Sequence, residues 1–314
     1  MEEILKGIKA GEERAVARAI TLIENNPSER ERLLQGLYPL ARLPYLIGIT
    51  GPPGSGKSTL SEKLIRAWRA RGIRIGVIAV DPSSQSSGGA LLGDRIRMGD
   101  VAVDQGVFIR SMATRGALGG LNPVVFDTVL LLSAAGYDYI LIETVGVGQN
   151  EIDIVNLANT TLIVTIPAAG DEIQSLKAGL MEIGDIFVIN KADLAGADRM
   201  VLTLEQMTAL EGATEESWLP PVLKTIATSG EGLPGLIEGI DRHYQYINKY
   251  GLLEEKRKVI IKKQLISLLE KRLKERVLEP LIGSAEFKRA ISRMLNFEED
   301  PYTLVEKLLQ EKGV

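Results

Sequence analysis

Residues 51–59 read Gly51-Pro52-Pro53-Gly54-Ser55-Gly56-Lys57-Ser58-Thr59, directly after the apolar run Tyr45-Leu46-Ile47-Gly48-Ile49. They fill the pattern G-x-x-x-x-G-K-[ST], and the flanks predict a buried strand, a tight glycine turn and a helix start. Glycines let backbone N–H groups converge on an anion, and the helix that follows adds its positive end. Lys57 can reach the β- and γ-phosphates of a bound nucleotide, while the Ser58 hydroxyl is placed to ligate Mg²⁺. A plain glycine turn would not need the full pattern with both flanks. The stretch implies a nucleoside triphosphate.

A second stretch names the base. Asn190-Lys191-Ala192-Asp193 follows the apolar run Ile186-Phe187-Val188-Ile189. N-K-x-D at a strand's carboxyl end is the guanine reader of GTP-binding proteins. A carboxylate only accepts hydrogen bonds, so Asp193 matches the N1–H and N2–H₂ donors of guanine and not the N1 acceptor of adenine. A charge-assisted hydrogen bond contributes roughly 1.5–3 kcal/mol, and an unpaired charge costs at least as much. The expected nucleotides are therefore GTP and GDP. Thr228-Ser229-Gly230, in a loop after Val222-Leu223-Lys224-Thr225-Ile226, is the candidate third contact, offering backbone N–H to the base carbonyl. By itself that loop is only a turn signal.

Composition narrows the class. The chain has 314 residues, 45% hydrophobic and 25% charged, which is ordinary for a globular protein with ample core. A net charge of −4 leaves no basic excess for nucleic acid. No apolar run approaches the roughly 20 residues of a membrane span, and Met1-Glu2-Glu3 is unlike a secretory signal. The expected location is cytoplasmic. Zero cysteines remove disulfides and thiolate metal sites. The single histidine, His243, sits between Arg242 and Tyr244 with no polar partner evident in the sequence, and reads as an ordinary helix residue.

The expected fold is α/β: a P-loop NTPase with a mostly parallel sheet flanked by helices, plus helical N- and C-terminal extensions. Residues 1–44 carry helical spacing at Leu5, Ile8, Val16, Ala19, Ile20 and Ile23, broken by Asn25-Asn26-Pro27. Ser28-Glu29-Arg30-Glu31 reads as a capping box restarting the helix. Residues 45–248 form the nucleotide domain, with strands expected at 45–50, 74–80, 107–111, 139–143, 161–166, 186–190 and 222–226. Helices are expected near 57–71, 124–135, 172–182, 199–210 and 233–249. Residues 249–314 are helical and charged, with an apolar stripe at Ile261, Leu265, Leu268, Leu269, Leu273 and Val277. Ser284 and Asp300-Pro301 are the expected caps of two further helices.

Tyr139-Ile140-Leu141-Ile142-Glu143-Thr144-Val145-Gly146 has the form hhhhE-x-x-G, a strand running into a γ-phosphate sensor. Glu143 can hold Mg²⁺ through water, and the Gly146 N–H can bond the γ-phosphate. Small GTPases often carry a water-positioning glutamine after this glycine; here the residue is Val147, with Gln149 nearby. Asp81 ends the second strand, and Asp94 follows a Ser- and Gly-rich span that reads as a switch loop. Both are candidate metal or water ligands, with Arg97 a weaker candidate for phosphate charge. A second candidate switch, Pro167 to Lys177, contains Asp171, Glu172, Gln174 and Lys177.

Taken together, GPPGSGKST, VDPSS, GDRIRM, ETVGVGQ, GDEIQSLK, NKAD and the helical C-terminus resemble the methylmalonyl-CoA mutase-associated GTPases, the MeaB/ArgK type within the G3E group of P-loop GTPases. The resemblance covers nearly the whole chain. It implies phosphate binding by Gly51 through Thr59, magnesium-linked roles for Ser58, Asp81, Asp94 and Glu143, and catalytic roles centred on Lys57, Asp94 and Glu143. It further implies guanine recognition by Asn190, Lys191 and Asp193, and relay of nucleotide state to a partner by Asp171 and Lys177. The partner it implies is an adenosylcobalamin-dependent acyl-CoA mutase, with the GTPase gating cofactor loading and guarding the enzyme. It also implies a homodimer joined by the C-terminal arm. Two rival readings stay open: a metallochaperone GTPase for nickel enzymes, and a P-loop phosphotransferase of the transport-system kinase kind.

Overall fold

A computed structural model describes residues 1–42, 44–81, 99–113, 123–144, 157–167, 181–209 and 217–310. The chain divides into two compact units, Met1–Lys256 and Arg257–Val314. The first is built on seven strands: β1 Tyr45–Thr50, β2 Ile75–Asp81, β3 Val107–Ala113, β4 Tyr139–Thr144, β5 Thr160–Thr165, β6 Ile186–Ile189 and β7 Val222–Lys224. All pair in parallel, in the order β3-β2-β4-β1-β5-β6-β7. β1, β5 and β6 are buried along their whole length, as strands covered on both faces must be. The sequence order reverses on the two sides of β1, so the crevice at the strands' carboxyl ends opens beside the loop that follows β1. All seven strands expected from the sequence are present.

Helix α4, Lys57–Ala70, covers one face of the sheet. It inserts Leu60, Leu64, Ile65 and Trp68 against Ile47, Ile49, Val77 and Leu141. Helix α7, Leu233–Lys249, joins the same core through Leu236, Ile240 and Ile247. Helix α6, Ala197–Ala209, closes a smaller cluster with Ala197, Met200 and Leu204 on Ile163, Phe187 and Ile189. Of the helix expected at 172–182, residues 172–180 lie outside the described residues.

The N-terminal segment folds as α1 Glu2–Lys9, α2 Glu13–Asn25 and α3 Pro27–Leu37, with α2 and α3 packed on α5, Pro123–Ala134. Ion pairs from Arg30 to Asp127 and from Arg110 to Glu24 fasten them to α5 and to β3. The cap of α3 differs from the expected box at Ser28. The Asn26 side chain accepts from the Glu29 N–H at 3.2 Å, with Pro27 as first helical residue. Asn tolerates the extended cap conformation, and proline lacks the N–H that would go unpaired there.

His243 corrects a sequence reading. It is fully buried on α7, with Nδ1 2.6 Å from Thr160 Oγ1 and Nε2 3.3 Å from Asp185 Oδ1. Thr160 Oγ1 also meets the Tyr45 hydroxyl, and burial pushes that phenol well above its ordinary range, so it stays protonated. Asp185 accepts from the Thr161 N–H at 2.8 Å and faces Lys256 Nζ at 3.5 Å. Lys256 also donates to the Asn159 carbonyl. The network ties the amino ends of β1, β5 and β6 to α7 and to the start of α8, Leu252–Leu273. Its members are scattered from residue 45 to 256, so no local pattern announces it.

The second unit contains the remainder of α8, then α9 Glu279–Ile282, α10 Ala285–Leu295 and α11 Pro301–Gln310. The expected caps are present: Ser284 accepts from Phe287 N–H, and Asp300 from the N–H groups of Tyr302 and Thr303. On α8, Ile261, Leu265, Leu268, Leu269 and Leu273 are exposed.

Burial opposes ionisation of Asp185, but the His243 hydrogen bond, the Lys256 charge and the Thr161 amide outweigh it and hold the carboxyl below the usual carboxylate range. Its contribution to stability is therefore complete above the pKa of an unfolded aspartate and is lost as pH falls through the depressed native value. Asp185→Asn is expected to lower unfolding free energy by about 2–3 kcal/mol at pH 7. Urea titrations should show the gap from wild type narrowing only below about pH 4.

Candidate functional site

The loop after β1 is shaped by glycines where a side chain has no room. A Cβ on Gly51 (φ +141°) would lie 1.9 Å from the Val164 carbonyl oxygen of β5. One on Gly56 (φ +88°) would lie 2.3 Å from Asn190 Nδ2. The loop is thereby seated on β5 and β6. Pro53 and Gly54 face outward, Pro52, Gly56, Ser58 and Thr59 are half-buried, and Ser55 is buried. No side chain caps α4 at Gly56, and the positive end of the helix dipole is directed at the loop, which favours an anion there. Lys57 is buried, and its ammonium donates to the carbonyls of Gly51 at 2.7 Å and Pro52 at 3.0 Å. That places a full positive charge over the loop's own main chain.

Glu143 stands at the tip of β4, paired in register with Ile49 of β1 and Ala79 of β2. It is 8% exposed. Its two oxygens are held by α4: Ser58 Oγ donates to Oε1 at 2.6 Å and Ser61 Oγ to Oε2 at 2.8 Å. Thr144 and Thr50 join the same strand tips through their hydroxyls, 2.9 Å apart. Ser61 was missed in the sequence, although its place one turn after Ser58 on a helix beginning at Lys57 puts both hydroxyls on one face. Asp81 closes β2 two residues past the level of Glu143; its side chain, and all of Asp94, Arg97, Gly146, Val147, Gln149, Asp171, Glu172, Gln174 and Lys177, lie outside what is described.

The donors brought together fit Mg²⁺ chemically. A serine hydroxyl and a carboxylate are hard oxygen ligands, and Mg²⁺ typically takes one or two protein groups plus phosphate and water. Among the described residues no three His, Cys, Asp or Glu side chains converge as a dedicated metal cage.

Asn190 does more than the motif suggests. It is 2% exposed. Its Nδ2 donates to the Ser55 carbonyl in the phosphate loop at 2.8 Å, and its Oδ1 accepts from the Ala227 N–H at 3.0 Å and the Thr225 hydroxyl at 3.2 Å. Lys191, by contrast, is exposed and held at φ +53°, and Asp193 is exposed beside it. A non-glycine residue in that region is strained, and such strain concentrates at functional sites. The Ala192 N–H donates to the Thr225 carbonyl at 3.1 Å. The Thr228-Ser229-Gly230 loop closes on itself, Gly230 N–H to Ile226 carbonyl at 2.9 Å, with Thr228 and Ser229 exposed. The phosphate loop, the strand-tip carboxylate and the 190–193 and 228–230 segments thus share one edge of the sheet.

Comparison with known proteins decides the family. Residues 16–281 match the family model described as methylmalonyl Co-A mutase-associated GTPase MeaB. The chain belongs to this family. It is a P-loop GTPase. A putative GTPase of Pyrococcus horikoshii is 46% identical over 99% of this chain and 98% of that protein. GTPase ArgK of Escherichia coli is 32% identical over 92% and 88% of the two chains. The mitochondrial methylmalonic aciduria type A homolog of Mus musculus is 34% identical over 88% and 70%. Among solved structures, a LAO/AO transport system kinase superposes with a TM-score of 0.72 at 26% identity, covering all of this chain and 97% of that one. A fold likeness and a family model therefore agree on this MeaB-family chain.

Two side chains in the MeaB-family site carry separable expectations. Asn190→Ala strands the Ser55 carbonyl and the Ala227 amide, and is expected to cost about 2–4 kcal/mol of stability while weakening GTP in calorimetric titration. Ser61→Ala should leave the fold within about 1–2 kcal/mol of wild type but raise the Mg²⁺ concentration needed for half-maximal GTP affinity about tenfold.

Proposed function

We propose that this chain is a Mg²⁺-dependent GTPase that gates adenosylcobalamin loading and protects a B12-dependent acyl-CoA mutase, methylmalonyl-CoA mutase or a relative. The observation that carries the nucleotide half is the Asn190 carboxamide, which binds the phosphate loop and the base-reading loops into one site. The mutase half rests on the family description and on the mouse relative's printed name.

In this reading the first-turn amides of α4 and the Lys57 ammonium hold the phosphates, and positioned charge of this kind supplies most of the catalysis in phosphoryl transfer. Bound Mg²⁺ would neutralise charge between the β- and γ-phosphates. Ser58 would reach it directly and Glu143 through water, with Ser61 fixing the carboxylate. Asp81 and Asp94 are further magnesium-linked candidates. Asp193 selects guanine, Lys191 flanks the base, and the Thr228–Gly230 loop offers amides to its carbonyl. Gly146 senses the γ-phosphate, and Asp171, Glu172, Gln174 and Lys177 pass the nucleotide state to the mutase. Val147 in place of a water-positioning glutamine makes intrinsic turnover slow until the partner orders the switch segments.

We further infer the organisation: residues 1–44 as helical extension, 45–248 as GTPase domain, and 249–314 as the arm of a homodimer. The exposed apolar residues of α8 support an arm that needs covering. The reading places the protein in the cytoplasm and off membranes; no helix among the described residues is long and apolar enough to cross one.

The test is single-turnover hydrolysis of γ-labelled GTP, with and without the mutase. Label should leave as free phosphate, slowly alone and at least tenfold faster with the mutase, and Lys57→Ala should abolish release. Label on an acceptor would establish the phosphotransferase reading instead. Fast hydrolysis indifferent to any mutase would contradict the proposed role.

A further inference from the structure

The turn between α10 and α11 carries an aromatic side chain where both exposure and backbone disfavour it. Phe297 is 96% exposed and sits at φ +56°. Its N–H donates to the Met294 carbonyl at 3.1 Å, and the Glu298 N–H to that of Arg293 at 2.9 Å. This is the helix ending in which the left-handed position usually belongs to glycine. A bulky residue there is an outlier. Leu295 and Tyr302, on either side, are also largely exposed. An unburied aromatic held in a strained turn signals an interaction anchor.

The same two helices hold a receptor for such an anchor. Between them lies a cavity of about 420 Å³, floored by Leu281, Ala290, Leu304 and Leu308 and rimmed by Arg289, Arg293, Lys307 and Glu286. The cavity has room for one phenyl ring, but its accessible wall is mostly polar, so a ring there would lie between the narrow apolar floor and the Arg289 and Arg293 guanidinium groups, which favour an aromatic face. Its charges are complementary to the tip. Glu299 binds both Arg293 and Lys307 within the chain, and Glu286 pairs with Arg289, which leaves the rim one positive charge over. The tip adds Glu298 and Asp300 beside Phe297.

We propose that Phe297 of one copy enters the α10–α11 cavity of a second copy, and reciprocally. Knob and hole lie on one hairpin, so a two-fold axis beside it uses each of them twice. Opposite charges at tip and rim fix the orientation. The exposed apolar face of α8 in the same unit supplies further area, which one inserted ring alone would not. This assignment rests on the homodimer reading and names the residues that make it.

Sedimentation equilibrium of the full chain tests it, with Phe297→Gly and Arg289→Glu as variants. The wild type should dimerise. Phe297→Gly should raise the dissociation constant about thirtyfold or more, and at dilutions where both proteins are monomeric its unfolding temperature should be at or above wild type because glycine relieves the strained turn. Arg289, well exposed at the rim, should also weaken the dimer when reversed in charge, and Glu298→Lys in the same chain should recover part of the loss. If Phe297→Gly dimerises with wild-type affinity, the knob is wrong while the homodimer stands. If it weakens the dimer and Arg289→Glu does not, the receiving cavity is wrong. A wild type that stays monomeric at tens of micromolar (a concentration at which specific dimers are ordinarily assembled) overturns both readings.

Discussion

The Asn190 carboxamide joins the phosphate loop to the segments that follow β6 and β7. Its N–H₂ is bonded to the Ser55 carbonyl of the phosphate loop and its oxygen to Ala227 and Thr225 beyond β7. Both ends are buried, so neither loop can shift without stranding a polar group away from water, at a cost of about 1–3 kcal/mol each. The glycines obey the same constraint. Gly56 has no Cβ because Asn190 occupies that space, and Gly51 has none because β5 does. The spacing between the phosphate loop and the loops after β6 and β7 is thereby set by the protein itself; in the proposed function this is the preorganisation that electrostatic catalysis needs.

Around this pivot, the parallel sheet supplies direction. Consecutive βα turns emerge at one edge because every strand runs the same way, and the reversal of strand order beside β1 leaves a crevice there. Glu143 enters that crevice from β4 and is gripped by two hydroxyls of α4, the helix that also presents Lys57. Strand tip and helix start are thus linked by side chains as well as by loops. The opposite edge has its own polar assembly, in which Asp185 and His243 bind the amino ends of β5 and β6 to α7 and Lys256. β6 runs four residues, Ile186–Ile189, between Asp185 and the Asn190–Asp193 stretch.

Much of this was legible in the sequence, and the reasons differ by element. Buried parallel strands announce themselves as short apolar runs, so β1 to β7 could be placed to within two or three residues. The phosphate loop could be read because its chemistry demands glycine and lysine at fixed spacing. The N-K-x-D stretch could be placed at the carboxyl end of β6, where it lies, but not the contacts of Asn190, whose partners Ser55 and Ala227 are distant in sequence. Ser61 was invisible for the same reason: a hydroxyl on a helix gains meaning only once Glu143 is across from it. Ser28 looked like the cap of α3, yet Asn26 won because Pro27 fits the first helical position. His243 has no partner close to it in the sequence, because Thr160 and Asp185 reach it only through the fold.

Calorimetric titration of the full chain with GTP, GDP and ATP in the presence of Mg²⁺ bears most directly on the claim that one rigid edge grips a guanine nucleotide at both ends. The account predicts one guanine nucleotide per chain, with ATP weaker by about a thousandfold or more, as a lost charge-assisted pair plus a stranded carboxylate requires. Equal affinity for ATP, or no heat with either guanine nucleotide, would contradict it.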